Sequence, residues 1–345
     1  MSATSRAAVW RGGRFAVEAR PLQEPRPGEA RVRLRACGVC GTDLHFHHAG
    51  AWQEGHTPGH EMTGVVEALG DGAAGPAPGT AVSIEPLRGC GDCACCRGGQ
   101  VNLCPRVQLF GIHVPGGFAE HVSVPAERCH PVPPELPAEI AALAEPVAVC
   151  VHGLRRGGLR PGQRVLVLGA GAIGLVGVVA AKALGAGEVW VSARHPHQAE
   201  RARDLGAARV LGEAEADPAR IGGIAGEAPI DLVLETVGGS ANTLRAALAA
   251  VRPGGAISVL GLFDGEVALP AFALLLKEGS LLWSNCYAQG PPRSDFADAI
   301  GILDAQRGAL AALTTRSFPL DEVGSALAHA ADKRQGAVKV SITAA

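Results

Sequence analysis

Apolar and polar residues alternate in the first part of the chain, which is typical of strands with one buried face. Residues 32–36 read Val, Arg, Leu, Arg, Ala, and further strand-like stretches follow at 63–69 and 81–84. Glycine- and proline-rich turns separate these stretches, as at 70–72 and 75–79. The pattern predicts an antiparallel, β-rich domain, a small closed or partly open barrel.

The pattern changes after residue 160. Short runs that are apolar on both faces occur at 164–168, 188–192, 230–234 and 256–260, with helical segments between them. Such runs are typical of a parallel sheet covered by helices on both faces. The longest apolar run, 165–184, contains four glycines and begins with a β-branched strand. It therefore predicts a strand, a turn and a helix rather than a membrane span.

A chain of 345 residues is too long for one ordinary core, so two domains are expected. We predict a β-rich catalytic domain over 1–152, with a cysteine lobe at 88–106, and a doubly wound nucleotide-binding domain over 153–287. Residues 288–345 are expected to return to the first domain through a helix near 295–303 and a last strand at 337–342. The fold class is α/β.

Composition excludes some functions. The net charge is −2 and the Lys and Arg residues are scattered, which argues against a nucleic-acid surface. The polar start lacks the apolar core of a signal peptide, so a cytoplasmic protein without membrane association is expected. Ten cysteines then favour thiolates that bind metal over disulfides.

The stretch from Cys37 to Glu61 offers ligands for one divalent metal. Zn²⁺ accepts sulfur, nitrogen and oxygen, and a catalytic zinc keeps three protein ligands and one open position. Cys40 and His60 suit two of these places. Glu145, in an Ala-Glu-Pro sequence, is the first candidate for the third place, and Glu61 is its competitor.

A second metal motif is more specific. Cys90, Cys93, Cys96 and Cys104 are spaced by two, two and seven residues. Four thiolates at such spacing can surround one tetrahedral zinc, which leaves no position for chemistry, so the site is expected to be structural. Cys95 is interpreted as a bystander, and an iron–sulfur cluster is the alternative.

The strand at 164–168 runs into a Gly-x-Gly-x-x-Gly sequence formed by Gly169, Gly171 and Gly174, with Ala172 and Ile173 between the last two. A strand before this motif and a helix after it are the context of a dinucleotide site. The first glycine permits a tight turn, the second lets a pyrophosphate approach, and the third allows close packing. We therefore predict that these five residues bind a dinucleotide.

The cofactor preference depends on the end of the next strand. An NAD site usually places an acidic residue there for the ribose hydroxyls, whereas this chain has Ala193, Arg194 and His195. A guanidinium can pair with a 2′-phosphate, so NADP is predicted over NAD. The alternative is that Arg194 only stacks on adenine.

Together these motifs resemble the zinc-dependent medium-chain dehydrogenase/reductase superfamily over essentially the whole chain, closest to the sorbitol, butanediol and threonine dehydrogenase branch. The resemblance implies a GroES-like catalytic domain and a Rossmann domain. It implies that Cys40 and His60 bind the catalytic zinc with Glu145 or Glu61. Two departures stand out: Gly41 stands where classical alcohol dehydrogenases carry a phosphate-binding Arg, and the acidic residue after the second strand is missing.

The resemblance also assigns a proton path. Thr42 would hold the substrate hydroxyl, His45 would pass its proton toward solvent, and Asp43 would hydrogen-bond His60.

The leading hypothesis is thus an oxidoreductase with two zinc ions per chain. It would move hydride between NADP and a secondary alcohol, polyol or matching carbonyl compound. One alternative is a reductase of an activated double bond or unusual carbonyl, with zinc mainly structural; another is a non-catalytic zinc-ribbon interaction protein. By analogy, the apolar strand at 280–284 suggests a homodimer or homotetramer.

Overall fold

The computed structural model describes residues 3–290 and 293–344, which form two compact units. One unit takes the chain up to Glu145, then Ala288–Arg307 and the chain from Thr314 onward. The other takes Pro146–Tyr287 and Gly308–Leu313. The domain bounds derived from the sequence, 1–152, 153–287 and 288–345, stay a prediction.

The strands follow the chain in this order: β1 Thr4–Arg11, β2 Arg14–Pro21, β3 Glu29–Gly38, β4 Glu61–Leu69, β5 Ala81–Ile84, β6 Leu87–Arg88, β7 Gln108–Leu109, β8 His121–Pro125, β9 Cys129–Pro131, β10 Arg164–Leu168, β11 Glu188–Ser192, β12 Arg209–Leu211, β13 Ile230–Glu235, β14 Val251–Val259, β15 Ser280–Trp283, β16 Gln289–Gly290, β17 Arg293–Ser294, β18 Thr314–Pro319 and β19 Lys339–Thr343.

The helices are α1 Gly41–His48, α2 Ala94–Arg97, α3 Ala138–Ala141, α4 Ala144–Arg156, α5 Ala172–Ala183, α6 Pro196–Asp204, α7 Pro218–Glu227, α8 Thr243–Ala250, α9 Ala271–Leu276, α10 Asp295–Ala311 and α11 Val323–Ala331. None of the helices in the described part of the chain has the length and hydrophobicity that a membrane span requires.

A mixed sheet with the strand order β18, β19, β3, β4, β5, β9 forms the centre of the first unit, and β8 also pairs with β3. The alternation predicted for β3 is confirmed, because Val32 and Leu34 are buried while Arg33 and Arg35 are exposed. β3 therefore places one face on the apolar core and pairs antiparallel with β4, β8 and β19.

The second unit contains a parallel sheet with the strand order β12, β11, β10, β13, β14, β15. Helix α5 connects β10 to β11, and the strand order reverses between β10 and β13. Ligands of such sheets bind outside the carboxyl ends of the strands at this reversal. The predicted α/β fold, a β-rich part and a doubly wound parallel sheet, is confirmed.

Two predicted elements have different bounds in the structure. The helix expected at 295–303 continues to Ala311, with a non-helical residue, Gln306, where the backbone kinks. The last strand begins at Lys339 rather than at 337, and it pairs with β3 through Ser341 and Gly38. This pairing brings Lys339 close to the end of β3.

Candidate functional site

The sheet of the first unit brings the predicted metal ligands together. In the antiparallel register of β3 and β4, Gly38 lies opposite Glu61. Cys40 follows the end of β3 and His60 precedes the start of β4, so the two lie side by side. The ligand atoms of Cys40, His60 and Glu61 all lie within 4.8 Å of one another.

Gly59 makes this approach possible. Its backbone has φ of 96°, a conformation that favours glycine. A Cβ atom there would lie only 2.6 Å from the ring of Phe118 and 2.8 Å from the Cys37 sulfur. Any other residue would therefore push His60 and the start of β4 out of place.

Asp43 lies beside His60, but the hydrogen bond predicted between them is not formed in this structure. It is fully buried in the first turn of α1, where its Oδ2 accepts a hydrogen bond of 2.9 Å from the Cys40 amide. Its Oδ1 lies 3.7 Å from His60 Nδ1, and neither atom has a hydrogen-bond partner among the described residues. Nδ1 thus faces a carboxylate, which leaves the other ring nitrogen, Nε2, for a metal.

Charge supports a cation at this place. Burial lowers the pKa of His60, but Cys40 and Asp43 outweigh it and raise the pKa well above its usual value. Burial also raises the pKa of Asp43. The buried acids therefore favour a positive charge between them. A divalent cation bound by Cys40, His60 and Glu61 would supply that charge, and sulfur, nitrogen and oxygen are donors that Zn²⁺ prefers.

Glu61 and Glu145 differ in position. Glu61 belongs to the group of ligand atoms within 4.8 Å, whereas Glu145 does not. Glu145 is buried in the first turn of α4, and burial raises the pKa of its carboxyl to about 7 against the opposing effect of His60. The geometry therefore favours Glu61 as third ligand and places Glu145 as a neighbour of the cluster.

Sequence reasoning missed the partner of Glu61. Lys339 Nζ forms an ion pair with Glu61 Oε2, and both side chains are almost completely buried. Burial lowers the pKa of Lys339, but Glu61 and Cys40 outweigh that effect and raise it. The sequence feature that could have indicated this pair is a lysine between two valines, in a strand that otherwise has the pattern of a buried strand.

The proton path from Thr42 to His45 stays a prediction, and both residues lie on α1. Thr42 Oγ1 lies 3.7 Å from the Cys40 sulfur, and His45 is exposed on the same helix three residues later. Residues with this spacing share one face of a helix. A hydroxyl at the metal cluster and an imidazole at the surface are thus carried by α1.

The four predicted structural ligands also come together. The sulfurs of Cys90, Cys93, Cys96 and Cys104 lie within 4.8 Å of one another, whereas Cys95 is not part of the group. The Cys90 sulfur is 3.5 Å from that of Cys104 and 3.9 Å from that of Cys96. Four sulfurs at about 2.3 Å from a central zinc lie about 3.8 Å apart, so the lobe fits this ion.

Backbone amides support the thiolates. Cys96 donates to the Cys93 sulfur over 3.4 Å, and Arg106 donates to the Cys104 sulfur over 3.3 Å. Burial raises the pKa of Cys104, but the amides of Cys90 and Arg106, together with hydrogen bonds from the Cys90 and Cys96 side chains, outweigh burial and lower it. These donors favour the charged form that a metal requires.

The glycine motif has the geometry of a dinucleotide site. Gly169 has φ of 101° at the end of β10, and a Cβ on Gly174 would collide with the Gly169 carbonyl. A Cβ on Gly171 would meet nothing within 4 Å, so this side is open to a ligand. Ala172 and Ile173 begin α5, where amides without partners in the helix can bind phosphate.

Arg194 and His195 lie just after β11. Arg194 Nε is 3.1 Å from Glu213 Oε1, and both side chains are about two-thirds exposed. His195 precedes α6, and its ring stacks on His197. An exposed pair of this kind is weak, about 0–1 kcal/mol, so a phosphate can displace Glu213 from Arg194.

A second missed residue is Glu235. It is fully buried at the end of β13, where its carboxylate accepts hydrogen bonds from the amides of Val237 and Gly238 and from the Thr243 hydroxyl. These bonds hold the loop at the carboxyl edge of the parallel sheet. The only sequence signal is an acid that closes an apolar strand.

A chain that combines this metal cluster with a dinucleotide motif has the parts of a zinc-dependent oxidoreductase. Comparison with known proteins supports the same class of protein. Residues 26–134 match the alcohol dehydrogenase GroES-like domain, and residues 172–305 match the zinc-binding dehydrogenase family.

Named relatives extend this similarity over the whole chain. Sorbitol dehydrogenase from Bacillus subtilis is 31% identical over 94% of this chain and 93% of its own. L-threonine 3-dehydrogenase from Pyrococcus horikoshii is 34% identical over 77% of this chain and 80% of its own. A crystal structure of a zinc-binding dehydrogenase from Sinorhizobium meliloti bound to NADP has a TM-score of 0.89, with 30% identity over 99% of this chain and 100% of the other.

The chain therefore belongs to the zinc-dependent medium-chain dehydrogenase/reductase superfamily, as its motifs predicted. It is an enzyme, an oxidoreductase of the alcohol and polyol dehydrogenase type, and its family supports zinc and a nicotinamide dinucleotide as cofactors. The hypothesis of a non-catalytic zinc-ribbon protein was wrong.

The buried pair of Glu61 and Lys339 generates a first prediction. In the metal-free protein, Lys339→Met leaves the buried Glu61 carboxylate without a counter-charge, so we expect the free energy of unfolding to fall by about 3–5 kcal/mol in urea titrations with a chelator present. The control is Arg334→Ala, which removes an exposed pair with Asp332 and should cost less than about 1 kcal/mol.

The double variant Glu61→Gln, Lys339→Met sharpens this test. It should cost less than the sum of the two single variants, because neither charge is then left alone. Equal losses in Lys339→Met and Arg334→Ala would contradict the importance of the buried pair.

Proposed function

We propose that this enzyme oxidises a secondary alcohol or polyol with NADP and reduces the matching ketone or aldehyde with NADPH. The observation that carries the proposal is the convergence of Cys40, His60 and Glu61 within 4.8 Å in a buried, acid-rich environment. These residues would hold the catalytic zinc, while Cys90, Cys93, Cys96 and Cys104 would hold a second, structural zinc.

When bound, zinc would supply a Lewis acid for the substrate oxygen, and the dinucleotide would supply an acceptor or donor of hydride. The residues of the chain do the rest. The Thr42 hydroxyl orients the substrate oxygen, accepts its proton and releases its own proton, which His45 passes to solvent. Asp43 holds the imidazole of His60 in the orientation that ligation needs.

The cofactor site would be formed by Gly169, Gly171, Ala172, Ile173 and Gly174, which receive the pyrophosphate at the start of α5. Arg194, with His195 beside it, would pair with the 2′-phosphate. The absence of an acid at this position and the exposed guanidinium support NADP over NAD. The cytoplasmic location expected from the polar start of the chain stays a prediction.

Metal content and activity test the two zinc roles. The zinc-loaded wild type should hold two zinc ions per chain by elemental analysis and oxidise members of a panel of secondary alcohols and polyols. Cys40→Ser should lose one zinc and roughly a thousandfold in activity, because the Lewis acid is worth several kcal/mol in the transition state. Cys96→Ser should lose the other zinc, and Cys95→Ser, the matched control, should keep both.

Full activity of Cys40→Ser on an activated alkene, with no alcohol oxidation by the wild type, would instead support the double-bond reductase.

Cofactor preference is tested on Arg194. Arg194→Ala should weaken NADP binding by about tenfold and leave NAD binding unchanged, because only NADP has the phosphate that pairs with the guanidinium. Arg203→Ala, an exposed arginine on α6, is the control for loss of charge. Glu213→Gln should strengthen NADP binding by releasing Arg194, and stronger wild-type binding of NAD than NADP would contradict the proposal.

We also propose that the enzyme is a homodimer or homotetramer that associates through the edge of the parallel sheet. β15 is the edge strand, and large apolar side chains are exposed on it and on α9 nearby in sequence, namely Trp283 at 54%, Phe272 at 70%, Leu275 at 68% and Leu276 at 69%. An open strand edge with exposed apolar neighbours is suited to pairing with a second copy.

Light scattering after size-exclusion chromatography measures the mass of the assembly and tests this proposal. Phe272→Asp with Leu276→Asp should shift the wild-type oligomer toward the monomer, because each charge would be buried in the interface. Leu103→Asp, half-exposed in the other unit, should leave the mass unchanged. A monomeric wild type would overturn this proposal without affecting the proposed chemistry.

A further inference from the structure

One carboxylate in the first unit faces two positions for a cation. Glu61 is completely buried, and its Oε2 forms an ion pair with Lys339 Nζ. Its Oε1 is also inaccessible to solvent and has no hydrogen-bond partner among residues 3–290 and 293–344. The same carboxylate belongs to the group with Cys40 and His60, whose ligand atoms lie within 4.8 Å of one another. A metal bound there and the ammonium of Lys339 would thus share the charge of one side chain.

The backbone holds Lys339 in this position. Gly38 pairs with Glu61 in β4 and with Ser341 in β19, so the last strand runs beside the candidate ligand. A Cβ atom on Gly38 would collide with Glu61 Oε2 and would lie 2.8 Å from Lys339 Cε. The missing side chain of Gly38 therefore makes the space in which the ion pair forms. Because the side chain of Lys339 is only 3% exposed, water contributes little to the stabilisation of its charge.

A buried ammonium and a divalent cation on the same carboxylate repel each other. Charges a few ångströms apart interact strongly where little water screens them. The positive charge of Lys339 therefore acts on this cluster in two ways. Without a metal it offsets part of the buried negative charge and stabilises the fold, and with a metal it opposes the second cation.

We propose that Lys339 weakens zinc binding at the Cys40 cluster, while it keeps the metal-free cluster folded. Lys339 acts through Glu61 as a positioning residue and counter-cation, because an ammonium has no lone pair with which to bind a metal. The inference rests on the proposed zinc site of Cys40, His60 and Glu61, and it adds the residue that sets the affinity of that site.

One thermodynamic cycle links the two effects of Lys339. Because Lys339 and zinc oppose each other, the stability that Lys339→Met loses must be larger without zinc than with zinc. The same difference must appear as tighter zinc binding by the variant. A lysine that only holds Glu61 in place for the metal predicts the reverse, since its removal would weaken zinc binding.

Competition with a chromogenic chelator measures the zinc affinity directly. The zinc-loaded full chain is titrated, and Cys40→Ser, which should keep only the lobe zinc, identifies which of the two ions is released. We expect Lys339→Met to hold the Cys40 zinc at least about tenfold more tightly than wild type, because one repelling charge is gone. Lys339→Gln, which keeps a hydrogen-bond donor but no charge, should do the same. The lobe zinc should bind equally in all these proteins, so it is an internal control for folding.

Two further variants separate charge from position. Lys339→Arg keeps the positive charge and should bind the Cys40 zinc as wild type does. Arg334→Ala removes an exposed positive charge and should leave the zinc affinity unchanged.

Urea titrations measure the same coupling as a difference in stability. The loss of stability in Lys339→Met should be smaller in the zinc-loaded protein than with a chelator, by the amount that corresponds to the tighter binding. Weaker or unchanged binding of the Cys40 zinc in Lys339→Met, with the lobe zinc retained, would overturn the inference and leave the proposed function intact. A wild type that binds only the lobe zinc would overturn both.

Discussion

The concentration of buried acid around His60 is the constraint on which the site depends. Cys40, Asp43, Glu61 and Glu145 can all carry negative charge there, and Asp43, Glu61 and Glu145 are almost inaccessible to water. Charges so placed repel one another and lose their hydration, which costs several kcal/mol for each ion. The arrangement is stable only with positive charge among them. Lys339 supplies one such charge, and a divalent cation would supply the other.

The sheet explains how distant residues meet at this point. β3 pairs with β4 on one side and with β19 on the other, so residues near positions 40, 60 and 340 lie together. Gly59 permits the close contact that this packing needs. One strand therefore positions a candidate sulfur ligand, an imidazole and the lysine that balances Glu61. The core beneath β3 supports both the fold and the candidate metal site.

The two candidate metal clusters depend on the fold to different degrees. The cysteines of the lobe lie within fifteen residues of one another, so their spacing alone restricts the geometry, and the sulfur distances fit one zinc. The Cys40 cluster instead joins the ends of two strands, and its third ligand lies either next to His60 or over eighty residues away. Spacing could not choose between Glu61 and Glu145. The register of β3 and β4 favours Glu61.

Local pattern determined the strand classes, the glycine turn, the four-cysteine lobe and the family, because each depends on residues that are neighbours in the chain. Tertiary structure decided the rest. The pairing of Lys339 with Glu61, the hydrogen bond from Thr243 to Glu235 and the contact of Arg194 with Glu213 all join residues from different elements. Such contacts arise from strand register and from the packing of buried charge against its partner, and neither can be read from a local sequence pattern.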